Sequence, residues 1–550
     1  PQSNDFAAFQ IYLDTPTGPA PRRSIRLGTE RSRQANVLTN DLDQIRFVAN
    51  WDAGLGHHLT FGAERETVDV FNLFVQVANA EYEFASVADY QNQQASFINY
   101  ANAASNNKAD GAAAFSYSLN SVYVQDEWDV NDQLTLSAGF RLDWYETDDA
   151  PLANPLFQNT YGFASNSTID GVTVLQPRFG FNWQPDESLT VYGGIGLFQG
   201  GSPNVWIANN YTNTGNSLGA FNCRISNTYT SNFTNSNAPV CTAAQQAALQ
   251  NVDGFNVNQV AQDAVTTSAN LGTGLVNIID PTFEAPTIWK TSLGVSKEFD
   301  FTRFRLGEAW RVQAEYVHSE IENAIGWKDL RDAARQSGTA PDGRPTFSGP
   351  TGQQALMLTN FKGGETDQVA ISLAKDWYDG LLEGVGLNLS YTYLDATDQH
   401  AGTSSVAASN FQNLAVSDPN NPAVADSNYE IEDAIKLNLS YSRAFFGDNR
   451  TRINLFGQRR SGLNYSYTFG TNASTLFGEN RSTQRQLLYV PNVGSDGLVS
   501  RGSDPIVTYA ANFDFAGFNE FLNRTSLIDS AGQITQRNAY KSPDVTTFDL

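Results

Sequence analysis

The stretch LTLSAGFRLDWYE, Leu134 to Glu146, alternates apolar and polar side chains almost without a slip. Leu134, Leu136, Ala138, Phe140, Leu142 and Trp144 fall on one face, and Thr135, Ser137, Gly139, Arg141 and Asp143 on the other. A period of two is the signature of a β-strand with one oily and one wet face. The same pattern recurs along the chain. Ile45, Phe47, Ala49 and Trp51 share a face, as do Phe179, Phe181 and Trp183, and again Val385, Leu387, Leu389, Tyr391 and Tyr393. No run of about 18 apolar residues occurs, so there is no transmembrane helix. A barrel that crosses a membrane on strands leaves only this weaker alternating signal.

The connections between these strands are of two kinds. Six are short and rich in Asp, Asn, Gly and Pro: DAGLGHH, DVNDQ, QPDES, FDFTRFRLGEA, YDGLLEG and FGDNR. Residues 146–171, about 200–285, 320–354, 395–430 and 466–544 read as long polar loops. From the second turn onward short and long connections alternate. In an antiparallel meander that arrangement gathers every long loop at one end. A soluble sandwich has no reason to clip one end and let the other sprawl, whereas an outer-membrane barrel has short periplasmic turns and long extracellular loops.

The oily face is therefore expected to meet lipid. An Arg facing lipid near the midplane costs roughly 2–4 kcal/mol, and Arg141, Arg178, Arg311 and Arg452 all fall on the polar, lumen-facing side. Trp51, Trp128, Trp144, Trp183, Tyr393 and Tyr441 lie at strand ends, where interfacial girdles form. The six turns give twelve strands, with further ones expected near Ser24–Arg33 and in the closing VTTFDL. An open strand edge cannot sit in lipid, so the reading is the barrel portion, residues 1–550, of a longer protein. The opening Pro1, with no signal peptide, fits a mature product or a fragment. Within the loops, TAAQQAALQN (Thr242–Asn251) and AGFNEFLNR (Ala516–Arg524) read as short helices.

Charge narrows the partners. With 34 Lys+Arg against 58 Asp+Glu the net charge is −24, which argues against nucleic acid. Cys223 and Cys241 are the two cysteines, in no zinc or C-x-x-C spacing. A disulfide across that loop is the reading in an oxidising compartment, and two unpaired thiols in a cytosolic loop is the alternative. There is no G-x-S-x-G, H-E-x-x-H or P-loop, so no enzyme is expected. His57 and His58 read as a solvated turn rather than a metal site. The carboxylate pairs Asp148–Asp149 and Glu320/Glu322 are of a type used by glycosidases and by Ca²⁺, but no ligand spacing accompanies them and a solvated loop is the preferred reading. No cofactor is expected.

Several segments resemble the large TonB-dependent outer-membrane receptors, and within them the Oar-like branch. VYVQDEWDVNDQLTLSAGFRLDW resembles that family's strand–turn–strand with a Tyr-x-Gln-Asp-x-Trp element, and LQPRFGFNWQPDESLTVYGGIGLF its next hairpin. DVFNLFVQ, APTIWKTSLGV, IGWKDLRD, APDGRP, GTSSVAASNF and YSYTFG resemble Oar-like segments, in order, from about Asp41 to Leu550. The resemblance implies an all-β, antiparallel barrel of about 22 strands in the full protein, a plug in its lumen, a TonB box ahead of the plug and, in the Oar-like branch, a preceding carboxypeptidase-regulatory-like domain. It implies the outer membrane of a Gram-negative bacterium, with lipid and lipopolysaccharide around the wall and TonB–ExbB–ExbD as the energising partner.

The candidate ligand-binding region is the long loop 200–285. There Trp206, Tyr211, Phe221, Tyr229 and Phe233 mix with Asn, Thr and Ser, the blend of apolar area and hydrogen-bonding groups that ligand pockets use. The alternative is a loop that merely packs over the mouth. The leading function is import of a large or scarce nutrient such as a siderophore, glycan or peptide. An outer-membrane surface structural, adhesive or secretion-associated protein, in contact with other surface proteins and without active uptake, is the alternative. A passive porin and a soluble β-rich enzyme follow.

Overall fold

The computed structural model describes residues 5–13, 23–229, 231, 238–304, 306–350, 352–470, 477–479, 481 and 485–550. Its frame is a single antiparallel meander. The wall strands are β1 (Asn36–Gly54), β2 (His57–Phe74), β3 (Ala113–Asn131), β4 (Leu134–Glu146), β5 (Thr173–Asp186), β6 (Leu189–Gln199) and β7 (Thr287–Phe299). They continue as β8 (Trp310–Asp329), β9 (Glu365–Asp376), β10 (Val385–Asp398), β11 (Asp433–Phe446), β12 (Asn449–Arg460) and β13 (Val545–Asp549). Each pairs with the next in chain order.

The six short turns close six hairpins, and four of them share one device. A side-chain oxygen accepts the backbone N–H two residues on: Asp52 from Gly54 at 3.0 Å, Asn131 from Gln133 at 2.9 Å, Asp186 from Ser188 and Asp300 from Thr302 at 2.8 Å. This local bond turns the chain without help from elsewhere. The long connections, 75–112 among them, all emerge at the opposite end. The segment 75–112 is a long connection that the sequence reading did not separate from its strands, so short and long connections alternate from the first turn.

Three expectations change. Ser24–Gly28 is a strand but not part of the wall. It belongs to a five-stranded outer sheet ordered Leu218–Arg224, Phe97–Ala103, Glu81–Phe84, Ala8–Tyr12, Ser24–Gly28. It pairs with Ala8–Tyr12, whose other neighbour is Glu81–Phe84 and whose Phe9 and Ile11 are buried with Tyr82 and Phe84 in a core apart from the wall. Next, the loop expected from residue 320 starts later. β8 runs on to Asp329, because Ala324–Asp329 find a new partner in Ala355–Phe361 after leaving β9. Finally, the helix expected over Thr242–Asn251 is only a 3-10 turn, Gln245–Leu249, whereas Phe515–Arg524 is a full α-helix.

The wall carries its apolar side chains outward at mid-height. Ile45 is 76% exposed and Phe47 67%, and Phe140 and Leu293 project from the same face. Trp51, Trp128 and Trp183 stand on that face near the short turns. Trp144 stands on it toward the other end, its indole N–H donating to Glu146 at 3.1 Å. Above the level of Trp144 the oily face changes sides. On β2 the outward residues become Arg65, Thr67 and Asp69, while Val68 and Val70 on the opposite face are buried. Neighbouring β3 has the polar Ser116, Ser118 and Asn120 on the outward face, the last two covered by their bonds to Thr67 and Arg65, and Phe115 and Tyr117 inward and buried. Arg65 and Glu146 pair on the outside at 3.1 Å. An outward ion pair at this height is compatible with water or headgroups and not with hydrocarbon, so this level marks the outer edge of the lipid belt.

The buried core of the molecule accordingly lies at the outer mouth. Val68, Val70, Phe115, Tyr117 and Tyr145 of the wall pack with Ile207, Phe283, Trp327, Leu356 and Phe411, which come from the loops and from the outer end of β8. Helix α1 (Asn204–Thr212) and helix α2 (Ala407–Asn413) supply Ile207 and Phe411. A second core fills the outer sheet, and a third joins Val490, Val499, Leu522 and Leu527 within the last long connection.

Candidate functional site

On the polar face of the wall Arg141 is held on three sides. It donates to Asp143 at 2.8 Å and Ser121 at 2.7 Å and pairs with Glu64 at 3.4 Å. Arg178 lies 4.4 Å over the Phe198 ring and donates to Gln176 at 3.1 Å. Arg311 and Arg452 stand on the same face by register, opposite Glu298 and Ser442.

The residues expected to bind ligand divide among three clusters. Trp206 packs edge-on against Trp327 at 5.0 Å, and its indole N–H donates to the Ser404 carbonyl at 2.9 Å. Tyr211 stacks on Phe115 at 4.4 Å and donates to the Asp149 carbonyl at 2.8 Å. Phe221 and Tyr229 are buried in the outer sheet, where the Tyr229 hydroxyl donates to Glu83 at 2.7 Å. Phe233 lies outside the described residues. Cys223 and Cys241 form a disulfide with Cα atoms 5.0 Å apart. Of the carboxylate pairs, Asp149 accepts the Ser116 N–H at 2.7 Å and Glu320 sits in β8 opposite Trp289 and Glu365. His57 stacks on Trp128 at 5.0 Å with Nδ1 2.7 Å from Asp126.

A polar cavity of about 290 Å³ opens instead between the loop after β10 and the loop after β12. Amide side chains stitch its walls. Asn410 of α2 clamps the chain by donating to the Ser404 carbonyl at 2.7 Å and accepting its N–H at 2.8 Å. Asn538, with φ of 61°, donates to the Asp426 carbonyl at 2.7 Å, and its own N–H reaches Ser466 at 2.8 Å. Asn464 donates to the Ser427 carbonyl at 3.2 Å.

The charge at this cavity is of one sign. Arg485 and Arg537 line it, and among the described residues no carboxylate does. Arg537 is buried; its Nη2 bonds Asp398 at 2.8 Å, while Nε and Nη1 have no partner among the described residues. His400 Nε2 and Asn464 Oδ1, also in the lining, are buried and unpartnered too. The His400 ring sits against Phe361 at 4.9 Å and Trp327 at 6.0 Å. Burial, and then the Arg537 charge, push that imidazole down to about 3, so it is neutral at pH 7. Unpaired buried donors and acceptors are costly, and their concentration in one small cavity is what a polar ligand would relieve. Trp206 touches this site only from behind, through the backbone at Gly402, where a Cβ would stand 2.8 Å from the indole. The lining residues come from separate stretches spread between His400 and Asn538, and no motif joins them.

Among curated proteins none matches the chain. Of solved structures, the outer membrane transporter YddB from Escherichia coli is 12% identical with a TM-score of 0.45, over 87% of this chain and 49% of that one. The FrpB iron transporter from Neisseria meningitidis (F3-3 variant) is 11% identical with a TM-score of 0.39, over 78% and 44%. The siderophore receptor PirA from Pseudomonas aeruginosa is 13% identical with a TM-score of 0.33, over 83% and 57%. The chain thus spans about half the length of these transporters. With the family match covering residues 2–550, the chain belongs to the outer membrane β-barrel domain family.

Proposed function

We propose that this chain is the wall and outer mouth of a TonB-dependent importer of the Oar-like branch, which takes a large or scarce nutrient across the outer membrane. In this reading the whole protein has about 22 wall strands, a plug, a TonB box and a carboxypeptidase-regulatory-like domain, and no covalent chemistry of its own. Its partners are TonB–ExbB–ExbD, membrane lipid and lipopolysaccharide, and the nutrient. The observation that supports it is the mouth. Loops from four connections fold over the wall on a common apolar core, a covered mouth that suits gated import better than passive diffusion.

The test is uptake by intact cells of the source bacterium. Strains lacking this protein, or lacking TonB, are supplied with a ferric siderophore, a glycan or a peptide as the limiting nutrient. Equal loss of growth on one of these in both strains is the expected result. Undiminished uptake of all three, with altered surface assembly or secretion in the strain lacking the protein, would replace import by the surface-structural reading.

A further inference from the structure

We infer that the cavity between the loops after β10 and β12 is a subsite for an oxyanion carried on a hydroxyl-rich ligand, of the kind an acidic sugar presents. The argument begins with charge. The chain carries −24 overall, yet the charged side chains lining this cavity are two guanidiniums, Arg485 and Arg537. A guanidinium matches a carboxylate or phosphate with parallel N–H donors. Arg537 is fixed from one side by Asp398 and by the carbonyl of Ala425 at 3.3 Å. Its Nε and Nη1 are left without acceptors, though the residue is only 4% exposed. The Arg537 charge is met by Asp398, so Arg485, half-buried and without an ion pair among the described residues, is the cation left to take an anionic acceptor, with the two unpartnered Arg537 nitrogens in the same lining.

The rest of the lining addresses hydroxyls. Thr403 and Thr468 present hydroxyls, while the amides of Asn410 and Asn538 are taken up in holding the walls and the Asn428 Oδ1 accepts from Asn538. Asn464 Oδ1 is an unused acceptor and His400 Nε2, on a neutral ring, an unused nitrogen. Tyr465, held near Tyr540 with ring centroids 6.0 Å apart, offers an aromatic face. The volume of about 290 Å³ is at the lower end for small-molecule sites, roughly 300–1,000 Å³. It suits one terminal unit of a longer ligand rather than a whole siderophore. This deepens the import reading and rests on it for the direction of use, but the binding step needs no energised partner.

The full-length protein, purified in detergent, is titrated calorimetrically with glucuronate, methyl glucoside and inorganic phosphate. Glucuronate is expected to bind at least about tenfold more tightly than methyl glucoside, the difference one charge-assisted pair makes. Arg485→Gln is expected to weaken glucuronate about tenfold and leave methyl glucoside within about twofold. Arg485 is half-buried and its side chain makes no hydrogen bond or ion pair among the described residues, so this variant is expected to keep its fold, which heat-modifiable gel migration verifies. Arg537→Lys retains the charge without the fork and is expected to fall between wild type and Arg485→Gln. Equal affinity for glucuronate and methyl glucoside, an unaffected Arg485→Gln, or no binding of any probe would each overturn the inference. Phosphate binding as tight as glucuronate would overturn the hydroxyl-rich half of it. Failure here leaves TonB-dependent uptake untouched, and failure of uptake leaves this binding untouched, so the two readings are told apart.

Discussion

Tyr123 lies across the inner surface of the wall because its cross-strand neighbour is Gly62. A Cβ at Gly62 would stand 2.0 Å from the ring, and the ring could not remain. Gly294 and Tyr192 repeat the arrangement at 2.3 Å. An aromatic folded over a cross-strand glycine restores the packing that the glycine lacks. In that position the Tyr123 hydroxyl accepts from Arg46 at 2.9 Å. Gly62→Leu is expected to displace the ring, break that bond and cost about 1–3 kcal/mol, read as a lower urea midpoint of the folded protein in bilayers. Adding Tyr123→Ser should recover part of the loss, because the two sites share one space; strict additivity would rule the explanation out. His400 gives a second residue-scale expectation. Its imidazole is neutral in the fold, pushed down to about 3, against about 6.5 when unfolded. Arg537 faces it, and Lys328 sits over the adjoining Phe361 ring at 5.3 Å. Its contribution is complete above about pH 6.5 and is lost as pH falls toward 3, at about 1.4 kcal/mol per pH unit. Proteolytic nicking of the 399–432 loop should therefore rise between pH 7 and pH 4, and His400→Phe should flatten that rise. A wild-type loop equally resistant at both pH values would refute it.

At the level of elements, the hairpins were legible because each is local. Alternation marks the strands, and an Asp or Asn at the turn bonds its own backbone. The outer sheet was not, and its assembly explains why. Its strands are short, and they come from the N-terminal segment, the connection after β2 and the connection after β6. Ser24–Gly28 therefore read as one more wall strand. The polar cavity escaped for the same reason: Asn410, Asn464 and Asn538 converge only through the fold. Trp206, Tyr211, Phe221 and Tyr229 drew notice as aromatics in a polar loop, and the fold distributes them over three clusters that the spacing along the chain does not separate. The disulfide was the reading from the sequence, with unpaired thiols as the alternative, and the fold gives it a definite setting. It ties Leu218–Arg224 to the segment beside it across 18 residues, a closure worth about 3 kcal/mol against the unfolded loop. Because the outer sheet has a core of its own, Cys223→Ser is expected to raise protease cleavage within 200–285 several-fold while leaving the heat resistance of the barrel unchanged. A matching fall in barrel heat resistance would show that wall and outer sheet unfold together.

For the molecule as a whole, one alternating pattern serves two solvents. Up to the level of Trp144 the wall turns Ile45, Phe47, Phe61 and Phe140 outward. Above it the same strands turn Val68, Val70, Phe115 and Tyr117 inward beneath the loops. Strand geometry is continuous through the switch, so what changes is the medium outside: hydrocarbon below, water above. Phe140 is 58% exposed at mid-height on β4, between Val124 and Pro177 of its neighbours. Ser137 faces the other way, four residues from Arg141 on the polar side. A cation on the lipid face near the midplane costs about 2–4 kcal/mol, and on the lumen side it meets water and carboxylates instead. Phe140→Arg is therefore expected to lower the stability of the barrel in defined bilayers by that amount, measured by urea unfolding. Ser137→Arg should shift it by less than about 1 kcal/mol, since its longer side chain extends into a polar interior. The two positions share a strand, a sheet and nearly the same height, so the comparison isolates the medium each face meets. Equal losses would mean that the exposed aliphatics touch no hydrocarbon, and the outward face of the wall would need another partner.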